Sequence, residues 1–329
     1  MTGLHQQVRR TIRRHSLFPP ESRVLVGISG GSDSVALTLL LCDLAACNEF
    51  TVVSLAHLNH QLRPTATRDE DFCRDLAERL AIPIVIERRD VKAYGDIHTM
   101  SLEDAARRVR YDFLGRAAAE AGATRVAVGH TQDDQAETFL LKLMRGAGLT
   151  GLGGIYPRRG LVVRPLIDVS RSDLRAYLAA RGESWMEDES NDDVENPRNR
   201  VRHVILPELD RAAGGATRPA IARAAALVRQ DGQWLDELSL ARFEALTTVT
   251  PDGVEIDATP LTSEPLPVVR RVLLEAMRQT AGGREIGLDH VEAVLDILAG
   301  NGGGIDLPGS RAELRRGMLV LIRQKGPSK

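Results

Sequence analysis

Between residues 23 and 145 the chain alternates short runs rich in β-branched residues with longer stretches of helical apolar spacing. Strands are expected at Arg23–Ile28, Thr51–His57, Pro83–Glu87 and Arg125–Gly129, and helices over Val35–Ala46, Arg68–Leu80, Ser101–Ala121 and Gln132–Arg145. Strand–helix alternation of this kind closes only as a parallel sheet with helices on both faces, because each crossover must return right-handed over the sheet. Leu161–Arg164 supplies a fifth strand. The expected fold is therefore α/β, a doubly wound, Rossmann-like parallel sheet of five strands. In such sheets ligands collect outside the carboxyl ends of the strands.

The rhythm stops near residue 150. Residues 146–154 are rich in glycine, residues 182–200 are polar, and Pro207–Pro219, with Gly214-Gly215, reads as a linker. Beyond it, helices are expected over 220–246, Val268–Thr280 and Leu288–Leu298, with short strands at Gly304–Leu307, Ala312–Arg315 and Leu319–Ile322. Two domains follow: 1–215, carrying the sheet, and a smaller, mainly helical one over 216–329. The length of 329 residues agrees with that at about 150 residues per domain.

Lys plus Arg is 43 and Asp plus Glu is 45, so a histone-like polycation is excluded, although a local basic face is not. Only four of the basic residues are lysine. Arginine suits phosphate because it stays charged and binds bidentately. Residues 200–230 set six arginines against Glu208 and Asp210, and residues 311–329 set six basic residues against one acid. These are the expected phosphate-contacting patches. Aromatic residues are 4%, too few for a base-stacking platform. Three cysteines, Cys42, Cys47 and Cys73, form no C-x-x-C and no disulfide framework, which fits a reducing, cytoplasmic setting. The first twenty residues carry Arg9, Arg10, Arg13 and Arg14 without an apolar stretch, so no secretory leader is expected. The apolar run at Val35–Leu41 is far short of a membrane span.

Ser29-Gly30-Gly31-Ser32-Asp33-Ser34 lies between the first strand and the first helix of the alternation. Adjacent glycines let a backbone turn tightly against a ligand. The helix that follows presents free N–H groups and the positive end of its dipole, an anion site suited to phosphate. Asp33 would repel bare phosphate, and makes sense where Mg²⁺ bridges the carboxylate to the phosphates. No lysine follows a glycine, so this is not a Walker A loop. Gly146, Gly148 and Gly151 spell G-x-G-x-x-G, but after a helix rather than a strand, so the dinucleotide reading fails, and a flexible loop over the site is expected instead.

The six-residue loop resembles the signature of the PP-loop (N-type) ATP pyrophosphatases. Further stretches resemble, within that group, the bacterial tRNA(Ile)-lysidine synthase family: His57-Leu58-Asn59-His60-Gln61-Leu62-Arg63, Ser101 to Tyr111, Gly129 to Thr138, Met144-Arg145-Gly146, Arg164-Pro165-Leu166, Trp185 to Asn191 and Asn196 to Arg202. The resemblance covers residues 24 to about 207. It implies ATP, with Mg²⁺ at Asp33 through the ATP phosphates, held by Ser29, Gly30, Gly31, Ser32, Asp33 and Ser34. The partners implied are a tRNA(Ile) with a CAU anticodon and free L-lysine, and it leaves room for a homodimer. The implied reaction adenylates C2 of the wobble cytidine, after which the lysine ε-amine displaces AMP to give lysidine. The anticodon then reads as isoleucine rather than methionine.

Free lysine has a side-chain pKa near ~10.4, so a site for it must bind a cation and then remove a proton. Asp134 and Glu137 share one helix face and suit those two tasks, in an order the sequence leaves open. Asp33 and Arg107 complete the expected catalytic set, with Arg107 on the α-phosphate or adenylated base, where charge develops. His57 and His130, at strand ends, are expected to line the nucleotide pocket; with His60 their spacing does not match a metalloprotease zinc motif. Arg198, Arg200 and Arg202 are expected to meet the tRNA backbone. A thiolase on the same ATP site, or a nucleotide- or tRNA-binding protein without catalysis, are the alternatives.

Overall fold

The computed structural model describes residues 2–62, 65–187 and 195–324. Arg63, residues 188–191 of the tryptophan motif, and Lys325 and Lys329 of the basic tail lie outside the described residues. The chain divides into two compact units, Met1–Val228 and Arg229–Lys329.

The first unit is built on strands β1 (Arg23–Gly27), β2 (Thr51–Asn59), β3 (Ile84–Arg88), β4 (Arg125–Ala127), β5 (Arg158–Arg159) and β6 (Val162–Val163). Their order is β3-β2-β1-β4-β6-β5. The five expected strands are mutually parallel, and the two-residue β5 adds an antiparallel edge beside β6. The central β1 is buried on both faces, as a covered parallel strand must be. Val24 and Val26 pack with helices α1 (Gly3–Arg14), α2 (Ser32–Ala45) and α3 (Ala66–Arg79). Leu25 faces the other way, toward α4 (Val91–His98) and α5 (Leu102–Glu120). All three side chains are fully buried, each contributing about 1.5–3 kcal/mol relative to exposure.

Next come α6 (Gln132–Met144), α7 (Leu149–Leu152) and α8 (Arg171–Ala180). The glycine-rich stretch forms the short α7 beside Gln135, whose side-chain amide donates to Gly153 O and accepts from Ile155 N. It does not line the large cavity described below, so the expected loop over the site is not found there. The expected linker is mostly helical. Helix α9 (Pro197–Arg200) runs through a π turn (Val201–Ile205) into α10 (Leu206–Ala213), which stops at left-handed Gly214, before α11 (Thr217–Leu246). The π turn ends just before Pro207, which sits in the first turn of α10, where a missing N–H is tolerated.

Within the second unit, an antiparallel sheet has the order β7-β8-β11-β10-β9, formed by Thr247–Thr250, Gly253–Asp257, Ile305–Leu307, Ser310–Arg315 and Met318–Arg323 numbered in chain order. Its apolar face packs on α12 (Ala258–Thr262), α13 (Leu266–Thr280) and α14 (Leu288–Leu298). Among the described residues no helix is long and apolar enough to cross a membrane.

Candidate active site

Strand order switches direction between β1 and β4: β1 leads through α2 to β2 on one side, whereas β3 leads through α4 and α5 to β4 on the other. A switch of this kind leaves a crevice beyond the strand ends. A cavity of about 1890 Å³ occupies it, larger than the roughly 300–1,000 Å³ typical of one small ligand. It is lined by Ser29, Asp33, His57, His130, Asp134 and Arg171, among others.

From β1 the chain turns into α2 through Gly30, whose φ of +88° demands glycine. Gly31 caps α2 at an ordinary φ of −70°, so no backbone strain requires glycine there; on the cavity wall it keeps the surface bare. Ser34 staples the turn: its Oγ accepts from Ser29 N at 3.1 Å and donates to Gly31 O at 2.9 Å. Ser32 donates to Asp33 Oδ1 at 3.2 Å. Met186, from the tryptophan motif, donates its N–H to Gly30 O at 2.9 Å and places its side chain beside Gly30. On the far wall Gly129 abuts the loop. A Cβ there would lie 3.2 Å from Asp33 C and O and from Ser34 N.

Helix α6 begins three residues later, with Thr131 as its N-cap. Asp134 Oδ2 accepts from Thr131 N at 2.8 Å and from Thr131 Oγ1 at 2.9 Å, the N3 half of a capping box. Its Oδ1 accepts from Arg171 Nη2 at 3.2 Å and Arg198 Nη2 at 3.0 Å. One turn on, fully buried Glu137 accepts from Arg198 Nε at 2.8 Å and from Arg202 Nε at 2.7 Å. Arg171 lies 3.5 Å from Glu137 and donates its Nε to Asp33 Oδ2 at 2.9 Å. Three carboxylates and three guanidiniums thus form one array, and Arg171 ties the loop to the carboxylate pair.

Burial disfavours charge on Asp134, but Arg171 and Arg198 outweigh it and hold the carboxyl well below the usual carboxylate range. Burial disfavours charge on Arg171 too, yet Asp134, Asp33 and Glu137 keep its guanidinium firmly protonated. Asp33 goes the other way. Burial raises it, Arg171 offsets only part of that, and neighbouring Asp134 adds to the rise. Asp33 is the member of the array short of positive charge.

Arg171 carries no motif, and its role was not read from the sequence. The available signal is that it occupies the first turn of α8, where a cation opposes the helix dipole. Arg198 and Arg202, expected on an RNA backbone, turn inward. Asn196 caps α9 through Arg198 N at 2.8 Å, and the one-turn spacing of 198 and 202 aims both at α6. Arg200 lies on the exposed side. On α5, Arg107 sits over the Tyr111 ring at 5.0 Å, and Arg110 rather than Arg107 lines the cavity. The phase of α5 decides this, with Leu102, Ala106 and Arg110 one turn apart along the wall. Arg110→Ala is expected to lower turnover by about 10²–10³-fold, as for loss of a donor to developing charge, and Arg107→Ala by far less. Steady-state rates of the two variants check the order.

Both expected histidines line the cavity. His57 donates Nδ1–H to Ile28 O at 3.0 Å, which leaves its buried Nε2 without a protein partner among the described residues and free to accept from a ligand. Burial lowers its pKa. His130 Nδ1 accepts from Arg164 Nε at 3.2 Å, which assigns the proton to Nε2. Arg164 is itself fixed by Tyr156 O at 2.7 Å and Tyr111 OH at 3.2 Å. Burial pushes the His130 pKa down to about 3. An unfolded histidine takes its proton near ~6.5. Between the two values the unfolded chain binds a proton that the folded one refuses, so stability falls as pH drops, by about 1.4 kcal/mol per pH unit. Denaturant titrations at pH 7 and 5 are expected to show a smaller loss in His130→Gln than in the parent.

The PP-loop domain family matches residues 4–209. The chain is 41% identical over 295 residues to the tRNA(Ile)-lysidine synthase of Geobacter sulfurreducens, covering 88% of this chain and 62% of that protein. It is 39% identical to the enzymes of that name from Symbiobacterium thermophilum (98% and 70% covered) and Thermus thermophilus (94% and 58%). The chain therefore spans 58% to 70% of the length of these curated relatives. Among solved structures, a U34-tRNA thiolase from Methanococcus maripaludis superposes with a TM-score of 0.56 at 18% identity, covering 68% of this chain and 78% of that one, a likeness of fold alone.

Proposed function

Since the chain belongs to the PP-loop family and, within it, to the tRNA(Ile)-lysidine synthases, we propose that it joins free lysine to C2 of the wobble cytidine in a CAU anticodon, splitting ATP to AMP and diphosphate. The observation that carries this reading is the guanidinium of Arg171, shared by Asp33 of the phosphate loop and by the Asp134–Glu137 pair. It joins Asp33 of the loop to Asp134 on the wall of one roomy cavity, with fully buried Glu137 lying behind that wall rather than on it.

In this reading the loop amides at the start of α2, with Ser32, cradle the departing diphosphate. Arg110 and the Nε2–H of His130, which stays neutral, face the α-phosphate and the cytidine oxygen as charge builds there. His57 Nε2 accepts from the nucleotide. Asp134, on the cavity wall and held ionised by Arg171 and Arg198, suits the lysine ammonium once Arg198 turns to an incoming phosphate. Glu137 then takes the proton, leaving a neutral amine to attack C2 as AMP departs. Incoming phosphates offer Arg198 and Arg202 alternative partners, which frees Glu137. Mg²⁺ fits the donor set in that Asp33, on the cavity wall, offers a hard oxygen ligand whose burial Arg171 only partly offsets. Asp33 would hold it, and a bound Mg²⁺ offsets charge on the triphosphate. Arg200 and Arg223, both exposed, suit the tRNA backbone.

A thiolase reading is weaker on this structure. None of the three cysteines lines the cavity, and burial pushes the Cys42 and Cys73 thiols up to about 11 and about 12. Incubation with ATP, radiolabelled lysine and a CAU-anticodon tRNA transcript tests the proposal. Label on the RNA, with diphosphate release that needs tRNA and is lost in Asp33→Ala, is expected. Sulfur or ammonia transfer in place of lysine would overturn it.

A further inference from the structure

Helix α1 carries a basic face that the reaction site does not use. His5, Val8, Thr11 and Ile12 are buried, while Gln6, Arg9, Arg10, Arg13 and Arg14 line a shallow concavity on the outer side. The spacing 6, 9, 10, 13, 14 puts four guanidiniums on one helical stripe, where like charges repel by about 0.2–0.5 kcal/mol per adjacent pair. Two are partly compensated: Arg9 lies 2.6 Å from Glu49, and Arg14 lies 3.8 Å from Asp168. Arg10 and Arg13 are exposed and have no carboxylate partner among the described residues. The helix dipole favours Arg13 and Arg14 in the last turn but gives no reason for Arg10 in the middle.

We propose that this face of α1 is a second docking surface for the phosphate backbone of the substrate RNA, separate from the cavity. The inference rests on the reading of the site as RNA-modifying. All four are arginine, as are 39 of the chain's 43 basic residues, and their guanidiniums can meet phosphate bidentately. An anionic membrane is the poorer partner. A helix lying in an interface needs an apolar face to insert, and that of α1 is spent on the core, with Val8 fully buried and Ile12 at 6% exposure. The surface is also rigidly joined to the site. Gln7 Nε2 donates to Asp168 O and Thr11 Oγ1 to Asp168 Oδ2, both at 2.8 Å, three residues before Arg171. At the other end, His5 Nε2 lies 2.8 Å from Asp43 Oδ2, which also accepts from Tyr177 of α8 at 3.0 Å. An RNA held on α1 is therefore held in a fixed relation to the loop that presents Arg171.

The test compares the parent with Arg10→Glu/Arg13→Glu and Arg10→Lys/Arg13→Lys, leaving the ion-paired Arg9 and Arg14 in place. Binding of a CAU-anticodon tRNA transcript is measured by fluorescence anisotropy across a salt series, with thermal melting as the folding control. The Glu variant is expected to bind about tenfold more weakly and to lose about 1.4–1.8 from the slope of log K against log salt, the share of two phosphate contacts. The Lys variant keeps most of the slope, and ATP binding is unchanged in both. Parent-like affinity and slope in a folded Glu variant overturn the surface while leaving the site reading intact. So does a Glu variant whose only loss is binding to phosphatidylserine vesicles. A parent that binds no tRNA overturns the site reading itself.

Discussion

Glu137→Gln is expected to lower lysine transfer by about 10²–10⁴-fold, the loss that accompanies removal of a positioned base, while tRNA-dependent diphosphate release without lysine persists. The same substitution leaves Arg198 and Arg202 facing a neutral amide in a fully buried place. Breaking one side of a buried ion pair costs about 3–5 kcal/mol, so a large fall in melting temperature accompanies the loss of activity. A double variant separates the two effects. Glu137→Gln/Arg202→Gln removes one stranded charge and recovers part of the stability, yet recovers no lysine transfer if Glu137 handles the proton. Recovery of both together would reduce Glu137 to a structural anchor.

Gly129→Val is the second large effect. The nearest atoms to a Cβ at this position are backbone atoms of Asp33 and Ser34, which cannot rotate away as a side-chain end does. These atoms must give by a few tenths of an ångström for the Cβ alone and by more for a branched side chain, at a place where a displacement of about 1 Å costs about 10²-fold in rate. Valine is expected to approach that loss in ATP-dependent diphosphate release, with about 1–3 kcal/mol of overpacking strain. Alanine, with the same first contacts and no branch, falls between valine and the parent. Gly31→Ala is the contrast. Its Cβ meets nothing closer than 3.7 Å, so stability stays within about 0.5 kcal/mol, while the side chain intrudes on the nucleotide. Equal loss of stability in the Gly129 and Gly31 variants would show that the close approach of Gly129 to Asp33 and Ser34 is unimportant.

The legible parts of this protein are those whose signals are local. The strand at Arg23, the loop at Ser29 and the helix after it follow from a β-branched run, a glycine pair and an apolar spacing within about twenty residues. Strands Ile305–Leu307 and Ser310–Arg315 and helix Leu288–Leu298 were legible for the same reason. The hairpin Thr247–Thr250/Gly253–Asp257 was not anticipated, although its Pro251-Asp252-Gly253 turn announces it. Residues 207–213 were misjudged because proline reads as a breaker, whereas Pro207 sits where a helix tolerates it, in the first turn of α10.

For the site, chain order alone determined which side chains are chemically able: the loop serines, Asp33, the Asp134–Glu137 face and the two histidines at strand ends. Periodicity places each of these on an element and aims it, because hydrogen-bonding geometry makes every turn of helix and every step of strand alike. Tertiary structure alone decided the partners. Arg171, Arg198 and Arg202 converge on three carboxylates from up to 138 residues away, and α5 rotates Arg110 rather than Arg107 to the wall. Such pairings depend on how elements pack across the switch between β1 and β4, and guanidiniums are long enough to settle on whichever carboxylate that packing buries.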